Sequence, residues 1–97
     1  MKVISKARII EFAEIHPESE NALKSWYAIV SKTDFMSFID LRHTFSTVDR
    51  VNNLSVFNIG GNKYRLIAGI HYNRKMLYIR YILTHAEYDK GKWRDNK

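Results

Sequence analysis

Val56-Phe57-Asn58-Ile59-Gly60-Gly61-Asn62-Lys63-Tyr64-Arg65-Leu66 is the stretch on which the fold turns. Two runs of β character flank Gly61-Asn62, and glycine at the first loop position marks a tight type II′ hairpin. With Gly61-Asn62 as the loop, Ile59 faces Tyr64, Asn58 faces Arg65 and Phe57 faces Leu66. Successive strand side chains alternate sides. Phe57, Ile59, Tyr64 and Leu66 therefore share one face, and Asn58, Lys63 and Arg65 the other.

The next run extends the sheet. Lys63 to Tyr72 and Met76 to Thr84 are rich in β-branched and aromatic residues, with Asn73-Arg74 as a second tight turn. That turn predicts Ala68 opposite Ile79, Ile67 opposite Arg80 and Arg65 opposite Ile82. One face then collects Tyr64, Leu66, Ala68, Ile70, Leu77, Ile79, Tyr81 and Leu83, a wall fit for burial. Asn58, Lys63, Arg65, Ile67, Tyr78, Arg80 and Thr84 share the other, which is too polar to be core. The assignment depends on register, because a slip of one residue moves every side chain to the opposite face.

Upstream, Met1 to Ser5 reads as a short strand at the sheet edge. Ser5 is placed to cap a helix running to about Ile15, with Ala7, Ile10, Phe12 and Ala13 on its buried side. His16-Pro17 ends that helix, and Pro17 suits the first turn of the next. The second helix carries an apolar stripe of Ala22, Leu23, Trp26, Tyr27, Ile29 and Val30, spaced as packing residues. Ser37 with Asp40 resembles a capping box for a short helix through about Phe45. Ser46 to Leu54 reads as a polar loop. No linker or repeat divides the chain, so residues 1–97 form a single domain. The expectation is an α+β fold with the N-terminal helices packed on one face of an antiparallel β-sheet and an open basic face opposite.

Charge agrees with that asymmetry. Residues 1–50 hold seven Lys/Arg against seven Asp/Glu, and residues 51–97 hold nine against three, which supplies the whole net charge of +6. A basic sheet half favours a polyanionic partner. There are no cysteines, which excludes disulfides and thiolate metal sites. No apolar run approaches the length of a membrane span, so a cytoplasmic protein without membrane contact is expected.

After the sheet comes Thr84-His85-Ala86-Glu87-Tyr88-Asp89-Lys90-Gly91-Lys92-Trp93. Thr84 can cap a one-turn helix in which His85 and Tyr88, three apart, are neighbours overhanging the open face. Lys90, Lys92, Arg94 and Lys97 continue the basic character and are placed to bind RNA. The groove of Lys63, Arg65, Arg80, His85 and Tyr88 offers no nucleophilic Ser or Cys, no Gly-rich phosphate loop and no carboxylate cluster for Mg²⁺. His43, His71 and His85 lack short zinc spacing. What remains suits RNA cleavage with no metal and no cofactor. In that chemistry the 2′-hydroxyl attacks the adjacent phosphate, which needs a proton acceptor, a proton donor and cations for the phosphorane. Arg65 and Arg80 would stabilise the phosphorane, a role suited to the planar guanidinium. His85 would be acid or base. Tyr88 would stack on a base or share the proton work, and Lys63 would hold phosphate. Asn58, opposite Arg65, is placed to hydrogen-bond it and, with Lys90 and Lys92, to bind RNA, and Asp89 to orient His85 or cap the turn.

The two long motifs, Val56 to Leu66 and Thr84 to Asp89, together with Phe12, His16-Pro17, Leu23 and Trp26, resemble the HigB family of toxins within the RelE/ParE superfamily. The likeness covers nearly the whole chain. It implies a RelE-like toxin of a type II toxin–antitoxin system, an mRNA interferase cutting mRNA in the ribosomal A site. It also implies neutralisation by a HigA antitoxin with a helix-turn-helix domain, the complex of the two binding operator DNA. Arg65 matches the family's strand arginine at the scissile phosphate with Lys63 beside it, Arg80 fits the basic strand, and His85 and Tyr88 match the C-terminal motif. Branches of the superfamily dispense with histidine, so the division of labour among His85, Tyr88 and Lys63 stays open. Two alternatives remain: a gyrase-targeting toxin of ParE type and a noncatalytic RNA-binding domain.

Overall fold

The computed structural model describes residues 1–95. Its central hairpin joins β3 (Leu54–Ile59) to β4 (Tyr64–His71), and the pairs Ile59–Tyr64, Asn58–Arg65 and Phe57–Leu66 are those predicted from the loop. Gly60 and Gly61 have φ of 63° and 68°, a left-handed conformation that costs glycine nothing for want of a Cβ. The third long strand, β5 (Met76–Thr84), holds the predicted register from His71–Met76 to Ala68–Ile79.

Beyond that point the register shifts by one. Ile67 faces Tyr81 and Arg65 faces Leu83, where regular pairing predicted Arg80 and Ile82. A β-bulge admits one extra residue and inverts the parity beyond it. Ile82 consequently packs with the helix-side core, while Tyr81 and Leu83 join the opposite face. The predicted wall is correct from Tyr64 to Ile79 and wrong for its last two members.

Two further strands complete the sheet in the order β1-β5-β4-β3-β2. The edge strand β1 (Lys2–Ile4) runs parallel to β5, which makes the sheet mixed rather than wholly antiparallel. The other edge, β2 (Asp49–Val51), lies within the segment read as a loop and pairs antiparallel with β3. Asn52, at φ 56°, turns the chain between them, a conformation asparagine tolerates.

The helices cover one face. α1 (Ala7–Ile15) buries Ile9 and partly buries Phe12 and Ala13, whereas Ala7 and Ile10 face solvent. Ser5 does not cap it, having a φ of 73°, and Lys6 occupies the cap position with no side-chain bond. Pro17–Ser19 forms a single 3₁₀ turn before α2 (Glu20–Lys32), whose stripe packs as expected except for exposed Ile29. At α3 (Phe38–Thr44) the Ser37 hydroxyl accepts from the Asp40 N–H at 3.2 Å, while the Asp40 carboxylate reaches back to the Met36 N–H at 2.9 Å. The core between helices and sheet centres on Leu23, Trp26, Val30, Phe35, Leu41, Phe57, Leu66 and Leu77. Trp26 meets Phe57 edge-on at 5.4 Å, a contact worth about 0.5–1.5 kcal/mol beyond the area it buries.

One polar link ties the 3₁₀ turn to the sheet. The Tyr64 hydroxyl donates to the Glu18 carboxylate, with Phe12 edge-on to the Tyr64 ring at 5.4 Å. This bond holds the Glu18 carboxyl below its ordinary value and raises the Tyr64 hydroxyl above its own. A depressed carboxylate adds stability above its unfolded pKa and loses it as pH falls through the folded one. The raised tyrosine contributes below its unfolded pKa and loses that contribution as pH rises through the folded one. Tyr64→Phe should therefore lose less stability than the parent between about pH 7 and about pH 3, read as the shift in urea midpoint.

The opposite face is not left fully open. Val56, Ile67 and Trp93 form a second, smaller core, with Val51, Leu54, Tyr81, Leu83 and Tyr88 packed against it. Two short helices, α4 (His85–Lys90) and α5 (Lys92–Asp95), bring Trp93 there. Apolar side chains on the polar face need a cover, and this tail supplies it. Among the described residues no helix is long and apolar enough to cross a membrane.

Candidate active site

The site is assembled where the end of β5 meets the start of the β4 strand. Thr84 opens α4 through a complete capping box: its hydroxyl accepts from the Glu87 N–H at 3.2 Å, and the Glu87 carboxylate accepts from the Thr84 N–H at 2.9 Å. Gly91, at φ 71°, ends the helix in the left-handed conformation typical of a C-cap. The His85 N–H donates to the Lys63 carbonyl at 3.0 Å, which fastens α4 to the hairpin. The placement of α4 is thus set by its capping box and one backbone bond.

Arg65 is buried, with 8% of its surface exposed. Its Nη1 donates to the carbonyls of Asn62 at 3.2 Å and Tyr64 at 3.1 Å, and its Nη2 donates to Asn62 Oδ1 at 2.7 Å. A guanidinium carries five N–H donors in a rigid fork. With three bonds made, two donors have no partner among the described residues. The ring of Tyr88 lies 5.4 Å from the Arg65 guanidinium carbon and stacks on Trp93 at 5.2 Å with 16° between planes. Trp93 in turn donates its indole N–H to the Tyr88 carbonyl at 3.1 Å. Cation and tyrosine are therefore both held from behind.

His85 stands at the rim with its side chain 45% exposed, and its Nδ1 lies 2.9 Å from Asp89 Oδ2, one helical turn on. Engagement of Nδ1 fixes the ring orientation and leaves Nε2 for proton transfer. Asp89 thus orients His85, one of the two roles expected of it.

Arg65 and Tyr88 meet directly, and His85 joins them through α4 and the Lys63 backbone. The Lys63 side chain is exposed beside them. Arg80 is exposed at the bulge and makes none of the contacts described for Arg65, Tyr88 or His85. Asn58 is exposed, and it is Asn62 rather than Asn58 that holds the guanidinium. A side chain directly across a strand pair projects parallel to its partner, whereas one in the turn can curl back onto it. Lys90 and Lys92 are exposed on α4 and α5, and Lys97 lies outside the described residues. His43 is exposed in the last turn of α3, and His71 meets Tyr78 edge-on at 5.3 Å. Sequence reasoning missed Asn62 and Trp93. The spacing of a turn asparagine three residues before a strand arginine was available for the first, and a lone tryptophan in a charged tail for the second.

A model of RelE-like toxins, the toxic component of a toxin–antitoxin system, matches residues 19–91. The chain belongs to the HigB family of these toxins. Over its full length it is 37% identical to the mRNA interferase HigB of Escherichia coli O6:H1, 99% of which is covered. It is also similar, at 30% identity over 92% of this chain and 88% of each relative, to the mRNA interferase toxin HigB of Escherichia coli K12 and the mRNA interferase HigB of Shigella flexneri.

Proposed function

We propose that this toxin is an endoribonuclease that cuts mRNA on the ribosome in the cytoplasm, without a metal ion, and that an antitoxin of HigA type neutralises it. The names of its relatives support RNA cleavage, and one observation carries it here. A buried arginine with two donors that have no partner among the described residues faces Tyr88, next to a histidine whose Nδ1 is engaged by Asp89.

In the reaction a base removes the proton of the 2′-hydroxyl, O2′ bonds to phosphorus and the bond from phosphorus to O5′ breaks. An acid protonates the departing O5′. The products are a 2′,3′-cyclic phosphate and a 5′-hydroxyl. Arg65 donates its two remaining N–H groups to the non-bridging oxygens, a preorganised charge complement to the phosphorane. His85 carries one of the two protons, and Tyr88 or Lys63 the other. Asn62 is a positioning residue. Asn62→Ala should lower kcat about tenfold with little change in KM, because a loosened guanidinium is misplaced at the transition state.

The deciding experiment is brief induction in a bacterial host of the parent, Arg65→Ala and His85→Ala, with growth and transcript 5′ ends followed together. Growth arrest with new 5′ ends inside coding regions, lost in both variants, is the expected result. Arrest with intact transcripts would redirect the reading to a protein target such as gyrase. RNA bound but neither cut nor toxic would make the chain a binding module. Cleavage by purified toxin on programmed ribosomes with EDTA present tests the metal-free chemistry.

A further inference from the structure

Beside the catalytic residues, walled in part by the Trp93 that stacks on Tyr88, a cavity of about 350 Å³ opens between β5 and the two C-terminal helices. Tyr81, Leu83 and Trp93 form its apolar walls, Lys90 and Lys92 its cationic rim, and Glu87 contributes its one carboxylate. The bulge at Arg80 creates it, since only the shifted register turns Tyr81 and Leu83 to this face. An apolar slot with a few convergent polar groups is the usual form of a small-ligand site. Here the ligand must also satisfy two lysines and one acceptor.

We infer that this cavity receives the base of a nucleotide flanking the scissile bond, and that Glu87 selects a base bearing an exocyclic amino group. The inference rests on the RNA-cleaving reading and names a subsite of that same site. Charge complementarity identifies the occupant. Lys90 and Lys92 attract phosphate, the aromatic walls suit a planar ring, and a carboxylate can only accept hydrogen bonds. Adenine, cytosine and guanine offer an amino donor, as in the pairing of Glu with cytosine N4, whereas uracil offers none at that position. One Glu87 oxygen is engaged by the Thr84 N–H at 2.9 Å, which fixes the side chain and leaves the other oxygen to accept. The residue that starts the catalytic helix thus also reads the substrate.

Glu87→Gln isolates this role. Glutamine serves as well as glutamate at the third position of a capping box, so α4 keeps its start, while the group facing the cavity gains a donor. The experiment uses one RNA carrying A, C, G, U or an abasic ribose at each of the two positions flanking a single cleaved bond. Cleavage is measured on programmed ribosomes, and binding is measured with 2′-O-methyl copies that cannot be cut. The parent toxin should disfavour uridine and the abasic residue about tenfold at one of the two positions. Glu87→Gln should erase or invert the discrimination against uridine with an unchanged thermal midpoint. Equal preferences in parent and variant, or no preference at either position, would overturn the subsite while leaving cleavage intact. Discrimination in binding without product from any RNA would keep the subsite and remove the cleavage reading. A variant that loses antitoxin binding while its base preference stays unchanged would assign the cavity to a protein partner and overturn the inference.

Discussion

Arg65→Ala is expected to lower RNA cleavage about 10³-fold, the order seen when a preorganised charge is removed from a transferring phosphoryl group. The arginine is buried, meets no carboxylate among the described residues, and gives three of its donors to Asn62 and Tyr64. Those bonds aim the fork before substrate arrives. Arg65→Lys retains the charge, but an ammonium has three donors and no planar edge, so it cannot fill the Asn62 and Tyr64 acceptors and still grip phosphate in a bidentate manner. Its activity should fall about 10²-fold. Single-turnover cleavage of a labelled RNA measures both, with circular dichroism to confirm folding. Alanine activity within tenfold of the parent would remove Arg65 from the catalytic centre.

His85→Ala is the second large effect, with an expected loss of about 10² to 10⁴, the range for a positioned acid or base. The exposed imidazole takes no part in either core, so the variant should fold normally. The pH profile tells the roles apart. Loss of the limb that rises from acid pH makes His85 the base, and loss of the limb that falls toward alkaline pH makes it the acid. Asp89→Asn should produce a smaller loss, about tenfold, because a neutral amide can still touch Nδ1 but holds the ring orientation less firmly. A His85→Ala enzyme with an unchanged profile would pass both protons to Tyr88 and Lys63.

Much of this arrangement is legible in the residues. Gly61 fixes the hairpin loop, the loop fixes the pairing, and the pairing puts Arg65 on the face away from the helices. Thr84 marks the start of the helix that carries His85 and Tyr88 over it. Three features escape such a reading for separate reasons. The bulge is invisible to parity counted from a turn, since every residue after Arg80 obeys the same alternation in the opposite phase. The edge strand Asp49–Val51 is too short and polar to show a period, and only the Asn52-Asn53 turn beside it carries a signal. The third, the Asn62 grip on Arg65, depends on how a loop curls, which residue types alone do not specify.

The two cores of unequal size have a consequence for how the molecule fails when warmed. Helices α1 to α3 and the sheet share the large core, whereas the segment bearing His85 and Tyr88 rests on the smaller one through Tyr88 and Trp93 and on the His85 N–H bond to the Lys63 carbonyl. Regions with few buried contacts open at lower free energy than the body of the protein. The tail can therefore lift while the sheet stays folded, and lifting it parts His85 and Tyr88 from Arg65. Activity should therefore fall on mild warming before the far-ultraviolet circular dichroism of the sheet changes, and return on cooling, if the tail is the part that opens first.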